Sequence, residues 1–145
     1  LSMCVRQACA SFTQNSRYSA VRLETSLPTD KPCQIMASEM EIRLAVDNLI
    51  RNAAESLLSG NCSQPLIRVQ VTSTSDSIVI RVTDNGAKLT DTDIERMKTP
   101  LSSSKSDGLG LGLSIVSGVA QSNGGKLILK AREKGGLIAE LSFPK

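Results

Sequence analysis

Three alternating glycines in the run Asp107-Gly108-Leu109-Gly110-Leu111-Gly112-Leu113 constrain this chain most. They let a backbone close on a ligand where any Cβ would obstruct. Helical spacing resumes at once, with Leu113, Val116, Val119 and Ala120 on one stripe. The run therefore leads into a helix N-terminus, whose unpaired N–H groups and positive dipole end favour an anion such as a polyphosphate. A Rossmann turn needs a strand immediately before its glycines, and here the polar segment Thr99 to Ser106 precedes them. No Lys-Ser or Lys-Thr pair follows, so the Walker-type loop fails as well. On these residues alone the choice lies between a different kind of phosphate cradle and a flexible loop before an ordinary amphipathic helix.

At 145 residues, 40% hydrophobic and 21% charged, the chain fits one globular domain with a real core. A net charge of +3 and 2% aromatic residues give no basic, stacking surface, so nucleic acid is set aside as a partner. Cys4, Cys9, Cys33 and Cys62 show no C-x-x-C spacing and there is no histidine, which removes the usual zinc and disulfide readings. Four reduced thiols in a cytoplasmic protein are expected. Asn61-Cys62-Ser63 matches a glycosylation acceptor only by chance, and no segment resembles a signal peptide or a membrane span, so no membrane contact is expected of this domain. Beginning at Leu1, the chain reads as a piece of a longer protein.

Val5, Cys9 and Phe12 at helical spacing read as the end of a helix over about residues 1–16. Val21 to Glu24 alternates as a strand, Pro28 to Pro32 is a turn-rich connection, and a short strand is expected around Gln34 to Ala37. Ser38, with Glu41 three residues on, caps a helix to Leu58 whose stripe is Ile42, Ala45, Val46, Leu49, Ala53 and Leu57. Strands follow at about 66–73 and 77–84, burying Ile67, Val69 and Val71, then Ile78, Ile80 and Val82. A long polar connection from Asn85 to Asp107 holds only a short helix at Thr92 to Met97 and reads as a lid. Lys126 to Arg132 and Leu137 to Phe143 form a hairpin about Lys134-Gly135-Gly136. The fold expected is a two-layer α/β (α+β) sandwich, a mixed and mostly antiparallel sheet covered by helices.

Two sites on these elements have polar side chains where packing does not ask for them. Asn48 and Asn52 lie one turn apart on the long helix, where asparagine is not favoured, and their amides can meet one ligand. Their readings are polar residues at the rim of a solvated face, or oxygen ligands for Mg²⁺, which takes few protein ligands. Asp47, Arg51 and Glu55 beside them form an i, i+4 charge ladder, more simply a solvated face. Asp84 continues the inward series Ile78, Ile80, Val82, which aims its carboxylate at the core side of the sheet's end. Such a carboxylate needs donors, and an adenine amino group is one. Asp-Asn-Gly is also a common turn.

With Asn52, Asp84 and the glycine run in this order, the chain resembles the GHKL ATPase superfamily over roughly residues 20–145. Within it, the chain looks like the catalytic ATP-binding domain of sensor histidine kinases. Asn48 to Leu57 is similar to the family's N box, Asp84-Asn85-Gly86 to its first glycine box, and Gly108 to Leu113 to its second. Pro100-Leu101-Ser102-Ser103-Ser104-Lys105 resembles the lid motif of kinases related to the nitrogen-regulation and oxygen-sensing sensors. The resemblance implies the Bergerat-type ATP-binding fold, with ATP and Mg²⁺ as cofactors. It implies a division into residues 1–17, the end of a dimerisation and phosphoacceptor helix, and 18–145, the catalytic domain with a lid at about 86–107.

By the same resemblance Asn52 holds Mg²⁺, Asp84 accepts from the adenine amine, and Gly108, Gly110 and Gly112 cradle phosphates. Asn48, Arg51 and Glu55 of the N box, Gly86, Lys105, and Leu109, Leu111 and Leu113 complete the implied nucleotide site. The activity implied is protein-histidine kinase. Its acceptor histidine lies on a dimerisation and phosphotransfer domain of the same protein, its downstream partner is a response regulator, and the full-length protein is a homodimer. Water-activating members such as gyrase, MutL and heat-shock chaperones resemble one another in a glutamate where this chain has Asn48. An amide is no general base, so phosphoryl transfer is preferred to hydrolysis. The same substitution argues against an anti-sigma serine kinase. The family expects a further glycine where Lys88 stands, which motivates a nucleotide-binding or interaction module without catalysis as the alternative.

Overall fold

The computed structural model describes residues 1–29, 34–98 and 109–145, with side chains from 112 onward in the last segment. Among these residues four α-helices, α1 (Ser2–Thr13), α2 (Glu39–Ser59), α3 (Asp91–Lys98) and α4 (Leu109–Ser122), accompany five strands. The strands are β1 (Arg22–Ser26), β2 (Leu66–Ser73), β3 (Ser77–Asp84), β4 (Lys126–Ala131) and β5 (Leu137–Pro144), in the order β1-β2-β3-β5-β4. Among the described residues only β1 and β2 pair in parallel; the remaining pairs are antiparallel. This is the expected mixed, mostly antiparallel α/β sandwich.

Period-two alternation decides which sheet face the helices cover. Ile67, Val69 and Val71 of β2, Ile78, Ile80 and Val82 of β3, and Ala139, Leu141 and Phe143 of β5 are all buried. They meet Ile42, Ala45, Val46, Leu49, Ile50, Ala53, Ala54 and Leu57 of α2 and Val116 and Ala120 of α4 in one core. On the opposite face, Arg68 reaches Glu24 at 3.0 Å and Glu140 lies between Arg81 at 3.4 Å and Lys130 at 3.5 Å. The Arg68–Glu24 pair is solvated and adds little stability, while Glu140 is largely covered between its two exposed basic partners.

Ser38 caps α2 by accepting from the Glu41 amide, and Gly60 ends it. Cys4, Val5, Ala8, Cys9 and Phe12 seat α1 on α2 within the same core. Burial, followed by the nearby Asp47 carboxylate, pushes the Cys9 thiol up to about 11, so it stays protonated and unreactive. Cys4, Cys9 and Cys62 are free thiols; Cys33 lies outside the described residues. No helix among the described residues is long and apolar enough to cross a membrane.

Two expectations are corrected. Residues 34–37 form no strand: Met36 is 97% exposed, and alternation without a neighbouring strand leaves backbone groups nothing to pair with. Within the Asp47, Arg51, Glu55 ladder, Arg51 is exposed and its charge acts on Asp47, while the closer contacts lie elsewhere. Asp47 pairs with Arg43 at 3.8 Å, and Glu55 accepts from the Tyr18 hydroxyl at 3.4 Å. The helix expected at Thr92 to Met97 spans Asp91–Lys98, where Thr90 and Asp93 cap each other reciprocally.

Candidate functional site

Two clusters of polar atoms stand at the edges of the apolar layer. In the first, α2 and α4 pack antiparallel, with Asn123 donating to Glu41 at one end and Gly112 meeting Asn52 and Asn48 at the other. A Cβ on Gly112 would sit 3.0 Å from Asn52 Oδ1, 3.1 Å from its Nδ2 and 3.4 Å from Asn48 Oδ1. Glycine is therefore required there by close approach, and both side-chain amides face the first turns of α4. Asn48 donates its Nδ2 to the Leu44 carbonyl at 2.8 Å, which turns its Oδ1 toward Gly112. The Nδ2 of Asn52 is buried with no hydrogen-bond partner among the described residues. An orphaned donor of this kind costs about 1–3 kcal/mol, which a structural asparagine at a solvated rim would not incur.

The second cluster lies at the end of β3. Asp84 is 5% exposed, in phase with Ile80 and Val82. Its Oδ1 accepts from the Gly86 amide at 2.9 Å. Burial holds its carboxyl above the usual range, opposed by backbone donors at Gly86 and Leu137 and by the Arg132 charge. Gly86 has no room for a side chain, since a Cβ would lie 2.9 Å from Asp84 Oδ1 and 3.4 Å from Leu57 Cδ2. Asn85 fixes the strand's exit, accepting from the Leu66 amide and donating to the Gln64 carbonyl, both at 2.8 Å.

Of the site residues expected from sequence, Asn48, Asn52 and Gly112 come together, and Asp84 with Gly86 forms the other pole. Arg51 is exposed on the same helix, and Glu55 is engaged with Tyr18. The glycine run is a correction in form: α4 already begins at Leu109, so Gly110 and Gly112 lie within the helix and not in a loop before it. Leu113 packs its side chain in the core, which leaves only its backbone for a ligand. Gly108, Lys105 and the Pro100 to Lys105 motif lie outside the described residues, as do the side chains of Leu109 and Leu111. Sequence reasoning missed Arg132, Gly135 and Gly136, which crowd Asp84 and Gly86; a Gly-Gly pair signals only a turn until its contacts are known.

A mixed sheet under helices, with a buried aspartate at one strand's end and paired asparagines facing a helix N-terminal turn, defines a nucleotide-binding class of α/β sandwich. Residues 37–145 match the family described as histidine kinase-, DNA gyrase B- and HSP90-like ATPases, and the chain belongs to that family. Sporulation kinase B of Bacillus subtilis is 24% identical over 99% of this chain and 32% of its own length. The C4-dicarboxylate transport sensor protein DctB of Rhizobium meliloti is 31% identical over 85% of this chain and 19% of its own length. The chain thus spans about a third or less of these relatives. Among solved structures, the nucleotide-free catalytic domain of histidine kinase ThkA superposes with a TM-score of 0.84 at 22% identity, covering 100% of this chain and 92% of that one. The mycobacterial sensor histidine kinase MprB gives 0.81 at 20% identity, covering 99% and 93%. These likenesses establish the fold.

Proposed function

We propose that the chain is the ATP-binding catalytic domain of a two-component sensor histidine kinase. It would bind Mg²⁺-ATP and donate the γ-phosphoryl group to a histidine on another domain, since it contains none itself. The observation that carries this reading is the Asn52 side chain held against Gly112 near the start of α4, its buried Nδ2 donor without a partner among the described residues and so suited to a phosphate oxygen. Two carboxamide oxygens converging there suit a hard cation that takes oxygen ligands. Asn52, with Asn48 beside it, would hold Mg²⁺, which neutralises phosphate charge when bound. Asp84 would accept from the base amine, and the amides at the start of α4, with Lys105, would take the phosphates. Asn48 is an amide and cannot abstract a proton, which supports transfer to an acceptor over activation of water. Residues 1–17 would be the end of the helix leading from the phosphoacceptor domain, with a response regulator downstream and a homodimeric, cytoplasmic kinase overall.

Lys88 is exposed on the loop after Gly86, where the resembling kinases carry glycine, and it favours a second reading as a binding module without transfer. Calorimetry with ADP and ATP, with and without Mg²⁺, tests the site. Radiolabelled ATP with a supplied phosphoacceptor domain tests transfer. The expected result is Mg²⁺-dependent binding, no label on this chain, and label on the acceptor. Binding without transfer selects the second reading, and no binding at millimolar nucleotide sinks both.

A further inference from the structure

The turn between β4 and β5 does more than reverse the chain. Antiparallel register carries Thr83 opposite Ile138, which brings the start of β5 alongside Asp84. The turn's backbone then presses on the segment Asp84 to Ala87 at three points. Gly136 donates its amide to the Ala87 carbonyl at 2.9 Å. A Cβ on Gly136 would overlap the Asp84 carbonyl and lie 2.8 Å from Asp84 Oδ1. A Cβ on Gly135 would lie 2.6 Å from the Gly86 carbonyl. Both glycines have left-handed φ, +108° and +98°, so a side chain at either position is excluded twice over.

Arg132 closes the turn. Its amide donates to the Gly136 carbonyl at 2.9 Å, and its guanidinium Nη1 makes a long bond to the Gly135 carbonyl at 3.4 Å. No ion pair joins it to Asp84 among the described residues, yet its charge favours the ionised carboxylate. We propose that this hairpin turn is a specificity element of the nucleotide site. Arg132 and Gly136 are positioning residues that fix Asp84 as an acceptor for a purine's exocyclic amine.

The physical logic is one of rotation and charge. A carboxylate at a strand end can turn about its own bonds, and a turned or protonated carboxyl no longer presents a fixed acceptor. The Gly86 amide bonds it at 2.9 Å just past the end of β3, and the Leu137 amide at the start of β5 favours its ionised form from the neighbouring strand. The Leu137 amide stays in place only while the turn holds its geometry. Arg132 serves both needs, clamping the turn and keeping the carboxylate ionised.

This inference rests on the nucleotide-binding reading, and the test separates the two. Affinities of the 145-residue chain for ADP and for purine riboside diphosphate, which lacks the amine, are measured in the parent, Arg132→Ala and Arg132→Lys. The parent is expected to prefer ADP by about tenfold. Arg132→Ala should shrink that ratio about threefold or more by weakening ADP alone, and Arg132→Lys should restore part of it. A merely structural turn would weaken both ligands together. An unchanged ratio in Arg132→Ala, or an equal loss for both ligands, overturns the proposal and leaves nucleotide binding standing. Failure of the parent to bind either ligand overturns both.

Discussion

The two polar clusters differ in how complete they are. At the end of β3, the Asp84 carboxylate accepts from the Gly86 amide and is braced by the neighbouring turn. Between α2 and α4, among the described residues, Asn52 keeps a buried donor without a partner and its neighbour Asn48 is tied on one side. One cluster is finished by the fold; the other carries a cost that the fold leaves unrelieved. Under the proposed function, base recognition is preorganised, whereas the metal and phosphate side is where ligand energy is gained.

The largest effect that sharpens the contrast is expected from Asp84→Asn. The new amide offers a donor toward the base amine, and ATP affinity should fall by about 1–3 kcal/mol, read by calorimetry, with cooperative melting retained. Equal affinity for ATP in parent and variant would break the assignment of the base pole. A pH titration probes the same group without mutation. Burial raises the Asp84 pKa above 3.8, so its acceptor should be lost, and binding should weaken, at a higher pH than an ordinary aspartate would dictate. Folding stability should respond with the opposite sign. The folded state holds this proton more tightly than the unfolded one, so this group's contribution favours folding as pH falls and is lost as pH rises through that window. Parallel slopes for binding and stability would contradict it.

Asn52→Ala should separate the poles. Removing an orphaned donor and placing alanine in a helix interior is expected to stabilise the fold by about 0.5–1 kcal/mol in chemical denaturation. Mg²⁺-dependent affinity should drop while metal-free ADP binding persists. A destabilised variant with normal Mg²⁺ dependence would make Asn52 an ordinary packing residue. The smallest effect belongs to Glu140→Gln on the outer face, remote from both clusters. Losing its pairs with Arg81 and Lys130 should cost under about 1 kcal/mol and leave nucleotide titrations unchanged.

Elements ruled by local periodicity were legible in the sequence. The stripe of α2, its Ser38 cap and the alternation of β2 and β3 place Asn48, Asn52 and Asp84 on the faces they occupy. Features set by distant neighbours were not. Gly110 and Gly112 oppose helix formation by about 1 kcal/mol each, so the run read as a loop. Packing of Leu113, Val116 and Ala120 in the core accompanies an α4 that starts at Leu109. The Tyr18 partner of Glu55 follows from how the turn after α1 lies on α2, whereas Asp47 pairs one helical turn back with Arg43 of its own helix. Asn85, read as part of a turn, joins the ends of β2 and β3 through both atoms of its amide. The pressure of Gly135 and Gly136 on Asp84 and Gly86 needs the β3–β5 register before it can be seen at all.

Among the described residues the strand order also leaves two open edges, β1 and β4, and edges are where sheets recruit foreign strands. β1 is five residues long and carries Arg22 and Glu24, while β4 carries exposed Lys126 and Lys130. Short length on one side and paired lysines on the other make each edge a poor template for aggregation. The longest, most apolar strands, β2, β3 and β5, are enclosed between these two guards. A substitution that neutralised Lys126 and Lys130 together would therefore threaten colloidal behaviour before it touched nucleotide chemistry.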